Sequence, residues 1–150
     1  MSDASIDELN AAFERLIPRA AQMGVRFTDV RPGSASAHVP FEGNGNHFGA
    51  IYAGVIFTVA EVLGGAIAFG TFGAATHYPV LRGMTIDFRA PAMGPLVASA
   101  ALSTEQIGAL AETIAEGGKA PFVLEAEVRA EDGTVVATTH GDYQLRPYAT

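Results

Sequence analysis

The sequence predicts one α+β domain, residues 1–150, in which an antiparallel sheet of about six strands wraps around a long central helix. Three observations support this prediction. Residues 52 to about 72 are apolar on all sides, which is typical of a helix buried in a core. Segments that alternate between apolar and polar residues flank this run, as in strands with one covered face. Finally, 150 residues are enough for one hydrophobic core but not for two.

The elements before the central helix follow from local signals. Ser5 and Glu8 have the spacing of a capping box, and an apolar stripe at helical spacing follows them. This pattern predicts an N-terminal helix on the surface of the domain, and Pro18 marks its predicted end. Two strands, residues 24–31 and 34–41, are predicted on either side of the turn signal Pro32-Gly33.

The elements predicted after the central helix are strands at 81–90, 96–102, 121–130 and 134–146, and a short helix at 104–116. From Met84 onward, the first of these strands alternates between apolar and polar residues. The short helix carries one apolar stripe and is stopped by Gly117. The last two strands flank Asp132-Gly133, which is a strong signal for a hairpin turn. Alternation in the final strand predicts a buried Tyr143 and a solvated face with His140 and Asp142.

Composition and charge argue against several functional classes. The formal net charge is −7 with only nine Lys and Arg residues, so a nucleic acid partner is not expected. Cysteine is absent from the sequence, which excludes disulfides, thiolate nucleophiles and Cys-based zinc sites. The histidines share no metal-ligand spacing, and no metal site is predicted. The acidic N-terminus is the opposite of a signal peptide, so we expect a cytoplasmic protein.

The central apolar run raises the alternative of a membrane span. Residues 50–74 carry one charge in 25 residues, and about 18 apolar residues are enough to cross a bilayer. Against a span, Glu61 would lie near the bilayer centre at a cost of roughly 3 kcal/mol. The run also lacks a flanking Lys or Arg cluster that would orient it. We therefore expect no membrane insertion.

The most informative segment contains a single carboxylate, Glu61, in apolar surroundings where a charge is expensive to bury unless it is paired or used. The preceding residues, Asn46 to Gly54, are NHFGAIYAG, and VIFTVA separates them from Glu61. This frame resembles that of the hotdog-fold acyl-CoA thioesterases. Small bacterial members similar to phenylacetyl-CoA thioesterase have Asn-x-x-Gly-x-x-His-Gly-Gly, then six residues, then an acidic residue. In this chain Asn46, Gly49, Gly54 and Glu61 fall in register.

The resemblance extends from about residue 20 to the end of the chain and includes the strand TIDFRAPA at Thr85–Ala92. Two positions depart from the family pattern. Tyr52-Ala53 replaces His-Gly, and Leu81 replaces a Ser or Thr that some relatives have. The Tyr-Ala-Gly motif with an extra helix at 104–116 is most similar to a branch labelled putative thioesterase. The resemblance implies a hotdog fold and hydrolysis of an acyl-CoA thioester, with no cofactor besides the coenzyme A of the substrate.

The expected roles of the site residues follow from this frame and from their chemistry. Glu61 is expected to act as general base or nucleophile, and an apolar site would raise its pKa toward neutrality. The first-turn amides of Ala53 and Gly54 have no intrahelical acceptor, so they are expected to form an oxyanion hole. Asn46 would orient the attacking water or bind the carbonyl. Further substrate contacts are expected from Tyr52, Gly49 and His47.

These assignments have structural alternatives. Glu61 would instead form a buried salt bridge with Arg82 or Arg89. The two arginines are candidates for contacts with the phosphates of coenzyme A, or are ordinary surface residues. The alternatives for the loop and the helix start are an Asx-turn at Asn46, packing at Tyr52 and simple exposure at His47.

Spacing along the central helix adds two expectations. Glu61 follows Gly54 by about 10 Å along the helix axis, so a substrate would bridge that gap or meet Glu61 from a second subunit. Gly64-Gly65 costs about 1 kcal/mol per residue relative to alanine in mid-helix. This cost indicates the close approach of a thin acyl or pantetheine chain, or of another backbone.

An exposed sheet edge favours the pairing of subunits, and the resemblance implies an active site formed across a dimer interface, so we expect a homodimer or a homotetramer. Two other functions remain open at this stage. A hotdog dehydratase or hydratase usually pairs a histidine with the acid, and Tyr52 takes the place of that histidine. A non-catalytic acyl or acyl-CoA binding protein would retain Glu61 as a structural residue.

Overall fold

One central helix packs against every strand of a six-stranded sheet. The computed structural model describes residues 3–149. Its helices are α1 (Asp3–Leu16), α2 (Pro18–Gln22), α3 (Ala53–Phe72) and α4 (Thr104–Ala115). Its strands are β1 (Arg26–Arg31), β2 (Ser34–Val39), β3 (His77–Phe88), β4 (Leu96–Ala101), β5 (Ala120–Ala130) and β6 (Val135–Pro147). The strands are antiparallel in the order β1-β2-β4-β5-β6-β3, which confirms the predicted α+β architecture around α3.

The hydrophobic core lies between α3 and the inner face of the sheet. On α3, Val59, Leu63 and Ile67 recur every four residues and are fully buried, as the stripe of a helix requires. Leu96 and Leu145 of the sheet belong to the same core. Length and composition alone would allow α3 to cross a bilayer, but 56% of its most apolar stretch is buried inside the domain. Burial of this kind is expected of the core helix of a soluble domain.

The edge strand β3 begins earlier than predicted, at His77, and ends at Phe88. Pro79 lies within it. Proline is tolerated there because β3 is at the edge of the sheet, so one side of the strand needs no backbone donors. A bulge between Leu81 and Gly83 adds Arg82 to the strand.

Two helix starts differ from the prediction. Helix α1 begins at Asp3, so Ser5 lies inside it and the predicted capping box at its start is wrong. Pro18 does not simply end a helix but begins α2, because a first helical position needs no N–H. A capping box does occur at α4, where Ser103 Oγ accepts a hydrogen bond from the Gln106 amide at 3.0 Å.

Candidate active site

Glu61 lies in the middle of α3 with its side chain half-buried. Within residues 3–149, the carboxylate has no ion pair and no hydrogen bond. The alternative of a buried salt bridge to Arg82 or Arg89 is therefore not realised. Burial raises the pKa of Glu61, because desolvation disfavours the charged carboxylate. An acid in this state is a better base near neutral pH than an exposed glutamate.

A cavity of about 120 Å³ lies beside Glu61. Its walls are formed by α3, by Ile17 between α1 and α2, by Tyr143 of β6 and by Pro79–Leu81 of β3. Gly65, one helical turn after Glu61, also lines it. Because β3 is the edge strand, the cavity lies at the open side of the sheet. The one carboxylate of the apolar helix therefore borders a space that a small ligand can occupy.

Tyr143 connects the Glu61 segment to the sheet, a role that the sequence did not indicate. Its hydroxyl donates to the backbone carbonyl of Glu61 at 2.9 Å. Its ring stacks on Phe122 with the ring centroids 5.2 Å apart. Burial and the nearby Glu61 carboxylate raise the pKa of Tyr143, so the hydroxyl keeps its proton and can donate. Only the buried position of Tyr143 was predictable, from the alternation in β6.

The first turn of α3 presents unused donors. The amides of Ala53 and Gly54 have no acceptor among the residues that the structure describes, as expected at a helix start. Tyr52 precedes them as the N-cap residue, and its side chain makes no capping hydrogen bond. The Tyr52 ring packs over Gly54 and is 58% exposed. Packing at the helix start is thus one of its functions, and its hydroxyl remains available to a substrate.

The loop before α3 uses Asn46 to hold its own backbone. Asn46 Oδ1 accepts hydrogen bonds from the amides of Phe48 and Ala50, each at 3.1 Å. The side-chain amide nitrogen of Asn46 has no acceptor in the described part of the chain. Gly49 has a φ of +85°, a conformation that side chains rarely adopt. His47 is exposed and lies edge-on against Phe48, away from the cavity lining.

Asn44, two positions earlier, is the loop residue that the sequence did not single out. It is buried, and its side-chain nitrogen donates to the carbonyls of Met23 and Pro40 at 2.7 and 2.8 Å. Its own carbonyl accepts from the Tyr52 amide at 2.8 Å. Asn44 thus ties the loop to both the α2–β1 connection and the start of α3. A buried asparagine in a Gly/Asn-rich loop has no sequence signal that distinguishes it from its exposed neighbours.

The remaining candidates lie away from the Glu61 cavity. Arg82 lines a larger groove of about 820 Å³ beside α4, and Arg89 lies on the outer face of the sheet. Both arginines are exposed. His140 is exposed and bonds to Glu125 on the neighbouring strand, so the predicted solvated face is confirmed. Within residues 3–149, His, Asp and Glu side chains form no cluster that suits a metal ion.

Comparison with known proteins is consistent with this architecture. The family model described as a domain of unknown function (DUF4442) matches residues 7–145. A crystal structure from Pseudomonas aeruginosa, described as a protein of unknown function and probable thioesterase, is 37% identical to this chain. It superposes with a TM-score of 0.86, with 95% of each chain covered. No curated protein matches the sequence.

More distant structures show the fold alone. The putative thioesterase from Shewanella oneidensis is 20% identical, with 97% of this chain and 100% of that chain covered and a TM-score of 0.81. A thioesterase from Haemophilus influenzae is 14% identical, with 95% and 90% covered and a TM-score of 0.75. The chain therefore belongs to the DUF4442 family and is a hotdog-fold, thioesterase-like protein.

Proposed function

We propose that the protein hydrolyses acyl-CoA thioesters to a free acid and coenzyme A. The proposal is carried by one observation, the half-buried and unpaired Glu61 carboxylate at a cavity on the open side of the sheet. Thioester hydrolysis needs a base or nucleophile that is reactive near neutral pH, and the upward shift of the Glu61 pKa by burial supports this role. The relative described as a probable thioesterase supports the same reaction class.

The reaction uses two poles, the Glu61 carboxylate and the amides of Ala53 and Gly54. In the general-base route, Glu61 takes a proton from water while the water oxygen attacks the thioester carbonyl carbon. The two amides stabilise the resulting oxyanion. Collapse of this intermediate breaks the C–S bond, and the coenzyme A thiolate takes the proton from Glu61. In the nucleophilic route, a Glu61 oxygen attacks the carbonyl carbon and the C–S bond breaks, so that an anhydride forms and coenzyme A leaves as its thiolate. Water then hydrolyses the anhydride to the free acid and the Glu61 carboxyl group, and the thiolate takes one of the protons released.

A second copy of the chain is proposed to bring the two poles together, since about 10 Å of helix separates them within one chain. The edge strand β3 is the surface where a second sheet would pair. Its inward side chains Met84 and Ile86 are only half-buried, and Phe88 is 53% exposed, so apolar surface remains for a partner to cover. Pairing there would bring the partner to the Glu61 cavity. We propose a homodimer of this kind, from which a homotetramer can be built.

Arg82 of β3 and Arg89, which directly follows β3, are proposed to contact the phosphates of coenzyme A. Arg82 directly follows Leu81, which lines the Glu61 cavity, and Arg89 lies near the end of the same edge strand. Neither has an ion-pair partner within residues 3–149. Phosphate contacts would raise affinity for coenzyme A esters without touching the thioester. Arg82→Ala should therefore raise KM for an acyl-CoA but not for the same acyl group on N-acetylcysteamine.

The competing functions make different demands on the same site. A dehydratase or hydratase would need a histidine beside Glu61, and the described residues that line the cavity include none. A non-catalytic binding protein would bind acyl-CoA without releasing a thiol. Release of a thiol, and not affinity for acyl-CoA, therefore separates a hydrolase from a binding protein.

A thiol-release assay over a panel of acyl-CoAs tests the proposal on wild type, Glu61→Gln and Glu112→Gln. Glu112 is an exposed glutamate on α4, so its variant makes the same chemical change away from the site. Loss of a general base typically lowers the rate about 10²- to 10⁴-fold, and we expect this loss only in Glu61→Gln. Retained binding of acyl-CoA by Glu61→Gln shows that the site is intact. Wild type that binds acyl-CoA but releases no thiol would contradict the proposal.

A further inference from the structure

Two adjacent glycines of α3, Gly64 and Gly65, have different surroundings. A Cβ on Gly64 would collide with the ring of Tyr143. A Cβ on Gly65 would meet only Pro79 Cγ at 3.9 Å, an ordinary contact distance. Gly64 is therefore needed to seat the tyrosine. Packing within this chain does not explain Gly65, although glycine is unfavourable in a helix.

The space left by Gly65 belongs to the Glu61 cavity. Gly65 follows Glu61 by one helical turn, so the two residues lie on the same face of α3. Both line the cavity, together with Pro79–Leu81. The missing side chain thus leaves room directly beside the Glu61 carboxylate.

Tyr143 closes the cavity from the sheet side and is held rigidly. Its hydroxyl is bonded to the Glu61 carbonyl, and its ring stacks on Phe122. Added Cβ atoms on Gly64 and on Gly141 would both strike this ring, so it is clamped between two glycines. A side chain fixed in this way cannot move aside to make room for a larger ligand.

The size of the cavity then limits the acyl group. A dry cavity of about 150 Å³ accommodates one benzene molecule. The cavity beside Glu61 measures about 120 Å³. By that comparison the part of the cavity that this chain encloses holds an acyl group of about four carbon atoms, and a phenylacetyl or octanoyl group would extend beyond it.

We propose that Gly65 and Tyr143 are specificity-determining residues that restrict the protein to short-chain acyl thioesters of about four carbons or fewer. The inference rests on the proposed function, because it takes the Glu61 cavity as the acyl site. Gly65 sets the width of the cavity beside the carboxylate, and Tyr143 sets its depth.

The first test compares kcat/KM for acetyl-, butyryl-, octanoyl- and phenylacetyl-CoA. Wild type should prefer the two short esters over the two larger ones by at least about tenfold. Gly65→Ala should lower the butyryl-to-acetyl ratio about tenfold, since one methylene in a pocket is worth roughly that much. Gly108→Ala is the matched control, because its Cβ would point into open space on α4. Tyr143→Leu should raise the octanoyl-to-butyryl ratio, whereas Tyr143→Phe, which keeps the ring, should not.

A second test measures binding and does not depend on turnover. Calorimetry with S-ethyl-, S-butyl- and S-octyl-CoA thioethers gives the size preference of the cavity directly. If S-butyl binds better than S-octyl and Gly65→Ala shifts the preference to S-ethyl, the inference holds even where no thiol is released. Failure of the proposed hydrolysis is therefore distinguished from failure of this inference. Wild type that binds S-octyl as well as S-butyl, or a Gly65→Ala profile identical to that of Gly108→Ala, overturns it.

Discussion

The loop before α3 and the middle of α3 differ in whether their polar side chains have hydrogen-bond partners. In the loop, Asn44 donates to two carbonyls and Asn46 accepts from two amides. In the helix, the Glu61 carboxylate has neither a donor nor a cation within the described part of the chain. The fold accounts for the loop asparagines, because their hydrogen bonds hold the backbone. It does not account for Glu61, which is therefore the stronger candidate for chemistry.

Asn44→Ala should give the largest loss of stability. The substitution leaves the part-buried carbonyls of Met23 and Pro40 without their donor, which costs about 2–3 kcal/mol in total. For a domain of this size the melting temperature should fall by roughly 5–10 °C. Asn46→Ala is the comparison, because one of the two hydrogen bonds that it removes, the bond from the Phe48 amide, is exposed to solvent, so the cost should be about 1 kcal/mol. Calorimetry at one protein concentration measures both, and equal losses would show that the two asparagines do not differ.

Gly64→Ala should be the next largest effect and tests whether the helix is shaped by Tyr143. The new methyl group collides with a clamped ring, and overpacking of this kind costs about 1–3 kcal/mol. The same change at Gly65 meets no such obstacle and should stabilise the helix by about 1 kcal/mol.

A double-mutant cycle identifies the cause of the Gly64→Ala penalty. In a Tyr143→Leu background the penalty should shrink, because the smaller side chain leaves room for the methyl group. The free energies of unfolding of the four proteins give the coupling between residues 64 and 143. A penalty that is unchanged in the Tyr143→Leu background would place the strain elsewhere in the helix.

Much of the fold was predictable because each element carries its own signal. The all-round apolar run gives α3, alternation gives the strands, and Asp132-Gly133 gives the β5–β6 turn. The early start of β3 was missed because Pro79 argues against a strand unless the strand is known to be at the edge. Whether a strand lies at the edge depends on the order of strands in the whole sheet, which a local sequence pattern does not indicate.

The site was predictable only where one residue was unusual by itself. Glu61 stands out because it is charged in an apolar run. Tyr143 does not, because an apolar alternation predicts its burial but not its hydrogen bond to a residue 82 positions away. The Gly64-Gly65 pair predicts the close approach of a substrate chain or of another backbone, whereas the group that approaches Gly64 is a tyrosine ring of this chain and Gly65 meets only Pro79 at an ordinary contact distance. The contacts of Tyr143 with Glu61 and Gly64 depend on how the strands pair and on how α3 packs against the sheet, which no local sequence pattern indicates.

The pH dependence of stability tests whether the charged Glu61 carboxylate is buried without a compensating partner, as its surroundings indicate. Burial raises the pKa of Glu61 above its ordinary value of 4.5, so the folded state holds this proton more tightly than the unfolded state. Within the window between these two pKa values the free energy of unfolding falls as pH rises. Glu61→Gln lacks this titration. Its melting temperature relative to wild type should therefore be lowest below pH 4.5 and increase through the window, then stay constant.

The same titration should govern activity in the opposite direction. The deprotonated Glu61 is the reactive form, so kcat/KM should fall as the pH drops through the raised pKa. Melting curves and rates measured in the same buffers place both transitions on one pH axis. A melting difference that does not change with pH would show that Glu61 has an ordinary pKa and is well solvated.

Asn46→Asp should have the smallest effect on stability and separates the two functions of this residue. A carboxylate oxygen can accept the same hydrogen bonds from Phe48 and Ala50, so the loop is retained and stability should change by less than about 0.5 kcal/mol. The amide nitrogen of Asn46, which is unused within the described chain, is lost. If that nitrogen positions the substrate, kcat/KM should fall about tenfold, which corresponds to the loss of roughly one hydrogen bond. The melting temperature should stay the same. Unchanged activity would assign Asn46 wholly to the loop and leave Glu61 as the one polar side chain of this segment that the fold does not explain.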